Sequence, residues 1–447
     1  MLKHIFLFIL LCLALAAGAI FYLSRGDTAR LSVAQLSGRE PRITAPRREM
    51  IPTINIPDMR VWKADEKPVA AAGLTVERLA EGLSHPRSML RLPNGDILVA
   101  ETASPPRKVG GIKGIVMRFL MGKAGAEVPS PNRITLLRDK DGDGKPEERH
   151  ILLKGLNSPY GMALVNGTLW VANSDALMAF PYKEGDIQIT DRGRRVLNLP
   201  KQQPNFHWTR SLLASPDGSR LYIGVGSASN IGEYGLDKED NRASILEMNT
   251  KTGSYRIFAS GLRNPVGMAW KPNSDELWAV VNERDMLGSD LVPDYLTRVE
   301  FGGFYGWPWN YWGGYEDKRV QPERPDLREY THRPDYGLGA HTAPLGLTFA
   351  TGAKLGDGFS SGAFIALHGS WNRKPLAGFK VVFVKFDENG KPLGLPIDVL
   401  TGFLSGEEVR GRPVDVTIDG RGALLVSDDA GGIIWRVSRP VEAGASK

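Results

Sequence analysis

The chain has 447 residues, a net charge of +6 at neutral pH and a single cysteine, Cys12. Its 56 lysines and arginines are scattered, with no basic run interleaved with aromatics and no nucleic-acid motif, which argues against nucleic acid and for small anionic ligands. Because Cys12 lies inside the first apolar run, disulfides and thiolate metal sites are excluded from everything after it.

The run from Ile5 to Leu23 is just long enough to span a bilayer, and Ala17-Gly18-Ala19 offers a weak small-residue cleavage pattern. Residues 1–24 are therefore either a membrane anchor or a signal peptide. Both place the bulk of the chain outside the cytoplasm, in a periplasmic setting, and an uncleaved segment would hold it to the inner membrane. Residues 25–70 are rich in Pro, Arg and Thr and show neither helical nor strand period, the pattern of a linker.

From there one phrase returns six times: a turn, a small-residue pivot, an apolar strand, a polar turn and a second strand. The copies begin near Gly82, Gly155, Asn205, Gly261, Ala340 and Val409. Their turns read Pro-Asn-Gly, Asn-Gly, Pro-Asp-Gly or Asp-Gly, as tight hairpins require. Spacings of roughly 50 to 80 residues with this content predict an all-β fold, a six-bladed β-propeller of four-stranded antiparallel blades over 71–440. Each hairpin is too small to bury its own apolar face, so neighbouring blades must cover it.

Within the first repeat, Asp139, Asp141 and Asp143 alternate around glycines, the pattern of a hard oxygen-liganded cation such as calcium. Position twelve of the would-be EF-hand is His150, not Glu, so the segment is instead a hairpin loop between strands ending at Leu137 and beginning at Ile151. A calcium there would be structural; the alternative is a solvated acidic turn.

The pivots of the six repeats carry Arg87, Asn157, His207, Asn264, Thr342 and Arg412. In a propeller such positions converge at one end of the central channel. His207 is the candidate general base, since a neutral imidazole accepts an alcohol proton near neutral pH. Arg410 and Arg412 leave the same face of an extended segment, and with Arg263-Asn264 and Asn372-Arg373-Lys374 they would ring the mouth with cations suited to a small polyanion. The aromatic stretch Phe304 to Trp312 is read by default as core packing between blades, with a platform for a flat cofactor or sugar ring as the sharper alternative.

The Gly261-Leu-Arg-Asn-Pro-Val-Gly-Met-Ala segment, Gly303-Phe-Tyr-Gly-Trp-Pro, the paired Arg410 and Arg412 and the histidine-bearing third repeat together resemble the glucose/sorbosone dehydrogenases. These are six-bladed propellers that bind pyrroloquinoline quinone (PQQ) and oxidise aldoses or sugar aldehydes outside the cytoplasm. The likeness runs from about Gly73 to Val437 and, around Asn282 to Tyr295, is closer to the sorbosone branch. It implies His207 as base, with Arg263 and Asn264 flanking the quinone and Asn157 beside them. It implies Arg410 and Arg412 on the cofactor carboxylates and Arg373 or Lys374 in the family's lysine position. The cofactor calcium would lie on the backbone carbonyls of Glu283 and Arg284, distinct from any ion at Asp139 to Asp143.

One departure stands out: where the soluble glucose enzymes set an aspartate beside the histidine, this chain has Phe206. Asn205 and Ser227 are the candidates to orient the ring instead, and neither supplies a charge. No CxxCH motif occurs, so electrons would pass to a separate cytochrome or a membrane quinone. Two other readings remain: a calcium-dependent lactonase, which would want carboxylates at the pivots, and a non-catalytic, membrane-tethered binding propeller.

Overall fold

The computed structural model describes residues 2–24, 26–106 and 128–440. One helix, α1 (Leu2–Ser24), leads the chain, and the remainder is almost entirely antiparallel β-sheet with a few 3-10 turns. Side chains from Ile5 to Leu11, with Leu13 and Leu15, are exposed on α1. Among the described residues no helix is long and apolar enough to cross a membrane. The side chains of Ala17 and Ala19, on which the cleavage pattern rests, lie outside the described residues.

Among the described residues, six sheets of four or five strands follow one another along the chain. The first uses Pro86–Arg91, Ile97–Glu101, Arg133–Arg138 and Glu148–Lys154; the second uses Met162–Val165, Thr168–Asn173, Ala176–Pro181 and Arg194–Asn198. The third uses Arg210–Ala214, Arg220–Val225, Ser244–Asn249 and Tyr255–Ser260. The fourth (Pro265–Trp270, Leu277–Val281, Pro293–Val299, Tyr336–Ala340) and the fifth (Pro344–Phe349, Gly362–Leu367, Lys380–Phe386, Pro392–Thr401) each gain a two-residue edge strand, Ser37–Gly38 and Val69–Ala70. The sixth joins Pro413–Ile418, Leu424–Asp428 and Ile433–Ser438 to Thr75–Ala80, so the two ends of the body are hydrogen-bonded to each other. The hairpin turns sit where the sequence puts them: Asn166-Gly167 turns the second sheet with φ of 48° and 72°, the positive values a two-residue I′ turn needs.

Burial follows from this layout. Tyr222 and Ile245 of the third sheet pack with Leu277 and Val281 of the fourth, Trp278 and Leu296 with Ile365 and Val382 of the fifth, and Phe383 with Val426 and Trp435 of the sixth. Every amphipathic sheet is thus covered by its neighbours, as hairpins of this size require. First strands touch in sequence around the molecule, and the sixth touches the first. Tyr160, Val266, Leu345 and Val414 meet at the centre in a small apolar layer.

The start of each first strand and the end of each second strand lie at one end of the sheets, because the pair is antiparallel. That end carries the pivots. The opposite end holds a cavity of about 440 Å³ lined by Arg91, Trp270, Phe349, Thr417 and Asp419 among others.

Residues 26–70 differ from a free linker. They have little regular structure, as their composition indicates, yet they are fastened across the pivot end. Asp290 accepts from the backbone N–H groups of Arg30 and Leu31 and from Arg47 at 2.9 Å, and Arg47 also bridges to Asp27. Ala29 donates to the carbonyl of Lys374, Asn55 to that of Trp371, and Trp62 Nε1 to Asp428 at 2.8 Å. Periodicity could not show this, because the segment is held by polar contacts to distant loops. A chain beginning at Trp62 strips the buried Asp290 of its partners and is expected to lose about 3 kcal/mol or more relative to one beginning at Gly26. Thermal melts of the two forms check this, and equal midpoints would count against a structural strap.

Candidate active site

His207 enters the mouth just before the strand Arg210–Ala214. Its Nδ1 lies 2.9 Å from the carbonyl of Ser227 and 3.0 Å from the Ser227 hydroxyl, which itself donates to the Ser229 carbonyl at 2.6 Å. A carbonyl can only accept, so Nδ1 carries the hydrogen and Nε2 is left as the basic atom. Burial, then the nearby Arg263 guanidinium, holds the imidazole well below its usual range, so the ring is neutral at physiological pH. Of the two residues expected to stand in for the missing carboxylate, Ser227 orients the ring. Asn205 instead accepts from Arg210 and Arg242, at 3.3 and 3.0 Å. Phe206 points to Tyr234, edge to face, at 6.1 Å.

Asn264 sits beside His207 across Gly226. A Cβ at Gly226 would lie 2.3 Å from Asn264 Oδ1 and 2.5 Å from His207 Cβ, so only glycine lets these two side chains approach. The Asn264 Oδ1 is buried with no partner among the described residues. Gly226→Ala is therefore expected to displace both side chains, cost about 1–3 kcal/mol of stability and lower activity. A thermal melt with turnover on the same preparation checks it; unchanged activity would show that the approach is not needed.

Arg263 is more heavily engaged than its sequence suggests. It donates to the carbonyl of Glu283 at 2.6 Å, to the backbone and side-chain oxygens of Asn230, and to Asp285 at 3.2 Å. Burial would raise the Asp285 pKa, but Arg263, His341 and Asn372 together pull it well below the carboxylate range. His341 Nδ1 lies 3.6 Å from Asp285, and Asn372 Nδ2 donates to it at 2.8 Å. The Glu283 carbonyl, half of the expected calcium site, is thus already occupied by a guanidinium. The Arg284 side chain is fully buried, paired with Glu283 and Asp317 and donating to the carbonyls of Pro308 and Asn310.

Arg412, only 8% exposed, has Nε and Nη2 without a partner among the described residues, and Arg410 has a buried Nε in the same condition. Burial, with Arg87 nearby, lowers the Arg412 pKa. Arg87 is held at 2.5 Å by Asp429 and lies over Tyr160 and over Trp208, the residue after His207. The mouth therefore contains carboxylates after all, contributed by the ends of second strands and not by the pivots. Ser227, Asp285, His368 and Asp429 all lie in the loops that follow second strands, which end at Val225, Val281, Leu367 and Asp428.

Other expected residues fall elsewhere. Arg373 directs its three donor nitrogens to the carbonyls of Ser289, Pro375 and Leu31, and Lys374 beside it is half-buried. Asn157 is exposed, and its backbone is tied to Asn173 and Ser174. In the aromatic stretch Tyr305, Trp307, Tyr311 and Trp312 are buried, three of them packed with Leu262 and Tyr295, which is the packing default. On the rim of the first sheet, Asp139, Asp141, Asp143 and also Glu147 place ligand oxygens within 4.8 Å of one another in the loop between Arg133–Arg138 and Glu148–Lys154.

A curated relative from Hypocrea jecorina, a pyrroloquinoline quinone-dependent sugar dehydrogenase, is 24% identical over 84% of this chain and 90% of its own. An uncharacterised protein of Borreliella burgdorferi is 26% identical over 78% of this chain and 91% of its own. Two solved structures share the fold with a TM-score of 0.68 at 20% identity. They are the calcium structure of the Trichoderma reesei family AA12 enzyme, covering 86% of this chain and 99% of that one, and the holo form of the Coprinopsis cinerea pyranose dehydrogenase PQQ domain, covering 85% and 98%. The TrAA12-like family model matches residues 68–293 and 326–440, more than three quarters of the sequence, and the chain belongs to that family.

Proposed function

We propose that this protein is a PQQ-dependent dehydrogenase oxidising an aldose or sugar aldehyde, on a six-bladed propeller outside the cytoplasm. The observation that carries the reading is a neutral histidine, its Nδ1 held by the Ser227 carbonyl, at an end of the sheets that also holds the buried Arg412 with unpartnered Nε and Nη2. Orphaned donors on Arg410 and Arg412 suit the carboxylates of PQQ, and the orphaned Oδ1 of Asn264 suits a polar ligand beside His207. Arg410, Arg412 and Lys374 would hold the carboxylates, with Arg263 and Asn264 along the ring system. Bound there, PQQ supplies a two-electron acceptor for the substrate hydride. His207 Nε2 takes the proton of the sugar hydroxyl, Ser227 fixes the tautomer that leaves Nε2 free, and Arg263 with burial keeps the ring unprotonated until substrate arrives.

Calcium would join the cofactor through the carbonyls of Glu283 and Arg284, which requires Arg263 to release the former. A second, structural calcium would sit among Asp139, Asp141, Asp143 and Glu147. Calcium at about 100 times its Kd stabilises by about 2.7 kcal/mol. The melting midpoint is thus expected to rise with calcium and this rise to shrink in Asp141→Asn, as followed by circular dichroism; an unchanged response would leave the loop a solvated turn. The apolar helix α1, exposed along Ile5 to Leu15, would anchor the protein to the inner membrane. Washed membranes should then retain the full chain, and recovery in the soluble fraction would remove the anchor.

Titration of the full chain with PQQ and calcium, followed by dye reduction with a panel of aldoses and aldehydes, tests the activity. Saturable binding with turnover is expected. Binding without turnover on any sugar would leave a ligand-binding propeller, and no binding would overturn the cofactor assignment.

A further inference from the structure

His368 follows the second strand of the fifth sheet, and Asp429 the second strand of the sixth, so both open on the same end as His207. The His368 Nε2 lies 3.1 Å from both oxygens of Asp429. Asp429 in turn is held by Arg87 at 2.5 Å, and among the described residues its carboxylate accepts from these two side chains alone. A carboxylate so placed fixes the hydrogen on Nε2 and leaves Nδ1 as the free atom. That Nδ1 has no hydrogen-bond partner among the described residues, while 17% of the side chain is reached by solvent. His207 shows the mirror arrangement, with Nδ1 held and Nε2 bare.

We propose that His368 is a second proton-transfer residue of this mouth, with Asp429 as the positioning residue that presents its Nδ1 and Arg87 as the cation that keeps Asp429 in place. The proposal rests on the dehydrogenase reading and deepens it. Oxidising a sugar carbinol to a carbonyl breaks one C–H and one O–H bond and releases two electrons and two protons. A one-electron acceptor such as ferricyanide takes the electrons, two molecules per turnover, and no protons. Both protons have the mouth as their exit, with the buried Tyr160, Val266, Leu345 and Val414 packed just past the pivots behind it. His207 accommodates one, from the hydroxyl. His368 Nδ1 accepts the second, freed when the acceptor removes the electrons.

The groups facing His368 suit this use. Burial, Arg412 and Arg87 hold the ring below its usual range while Asp429 raises it, so it rests neutral and able to accept; His85 also acts on Asp429. No resemblance of the pivots predicts this pair, because neither residue lies at a pivot.

Two measurements decide it. In the full chain without PQQ, nitrogen-15 NMR of the histidines should show His368 with hydrogen on Nε2 only, and Asp429→Asn should lower its pKa. Hydrogen on Nδ1, or no response to Asp429→Asn, would overturn the pairing. In the chain loaded with PQQ and calcium, His368→Gln should slow steady turnover with ferricyanide by about 100-fold. It should keep the sugar KM, the PQQ Kd and the rate of single-turnover reduction without acceptor within threefold. Unchanged turnover would sink the proposal, as would loss of the single-turnover step, which belongs to His207. If wild-type protein fails to bind PQQ, the dehydrogenase reading falls instead, and the NMR result still stands for the pair.

Discussion

His207→Ala is expected to lower kcat by about 1,000-fold at neutral pH and to leave the Kd for PQQ within a few-fold of wild type. Removing a general base takes away a proton acceptor used at the transition state, whereas the contacts assigned to the cofactor come mainly from Arg410, Arg412 and Lys374. The two effects separate cleanly in stopped-flow reduction and an equilibrium titration of one preparation. The pH profile gives an independent check. His207 is held well below the usual imidazole range by burial and Arg263, so its neutral, active form persists from alkaline pH down through about 6.5. Activity should stay level across neutrality and fall only on further acidification. An acid limb centred above 6.5 would mean that some other group is the base. Ser227→Ala removes only the hydroxyl and spares the carbonyl that fixes the tautomer, so it should cost far less than His207→Ala.

The sequence made the architecture legible because its signals are local. Turns such as Asn166-Gly167 and the alternation of the strands around them name each hairpin and its ends, and six copies of the phrase lie where the six sheets begin. The pivots were legible for the same reason: His207 and Asn264 approach each other across Gly226, and Arg87 lies over Trp208. What the sequence left out is what depends on distant partners. Arg373 looked like a cofactor cation, but three backbone carbonyls from separate segments take its donors. The 25–70 stretch looked loose because nothing periodic marks a strap whose bonds run to Asp290, Lys374 and Asp428. The carboxylates of the mouth went unseen because Asp285 and Asp429 sit in loops beyond the second strands Leu277–Val281 and Leu424–Asp428, where only the antiparallel geometry brings them beside the pivots. None of the six pivots is acidic, yet Asp285 and Asp429 bring negative charge to Arg263 and Arg87.

Arg412→Ala should weaken PQQ binding by about 10- to 150-fold, the loss of one charge-assisted contact of roughly 1.5–3 kcal/mol. The same substitution should not lower the melting midpoint of the protein without cofactor. The Arg412 guanidinium is buried with Nε and Nη2 unpartnered; burial outweighs the attraction of Asp429 and Asp428, Arg87 repels it, and its pKa is lowered. A buried cation in that state costs stability, and its replacement by a small apolar side chain is commonly neutral or stabilising. Its backbone N–H, which Asp428 accepts at 2.8 Å, survives the change, so the loop keeps its anchor. A residue placed for packing would behave in the opposite way, losing stability with little effect on the ligand. Affinity falling while the apo midpoint holds or rises would mark Arg412 as a position where the fold carries a strained charge for its ligand. If the midpoint drops by several degrees and the Kd is unmoved, the arginine is structural and the carboxylates of the cofactor lie against other residues.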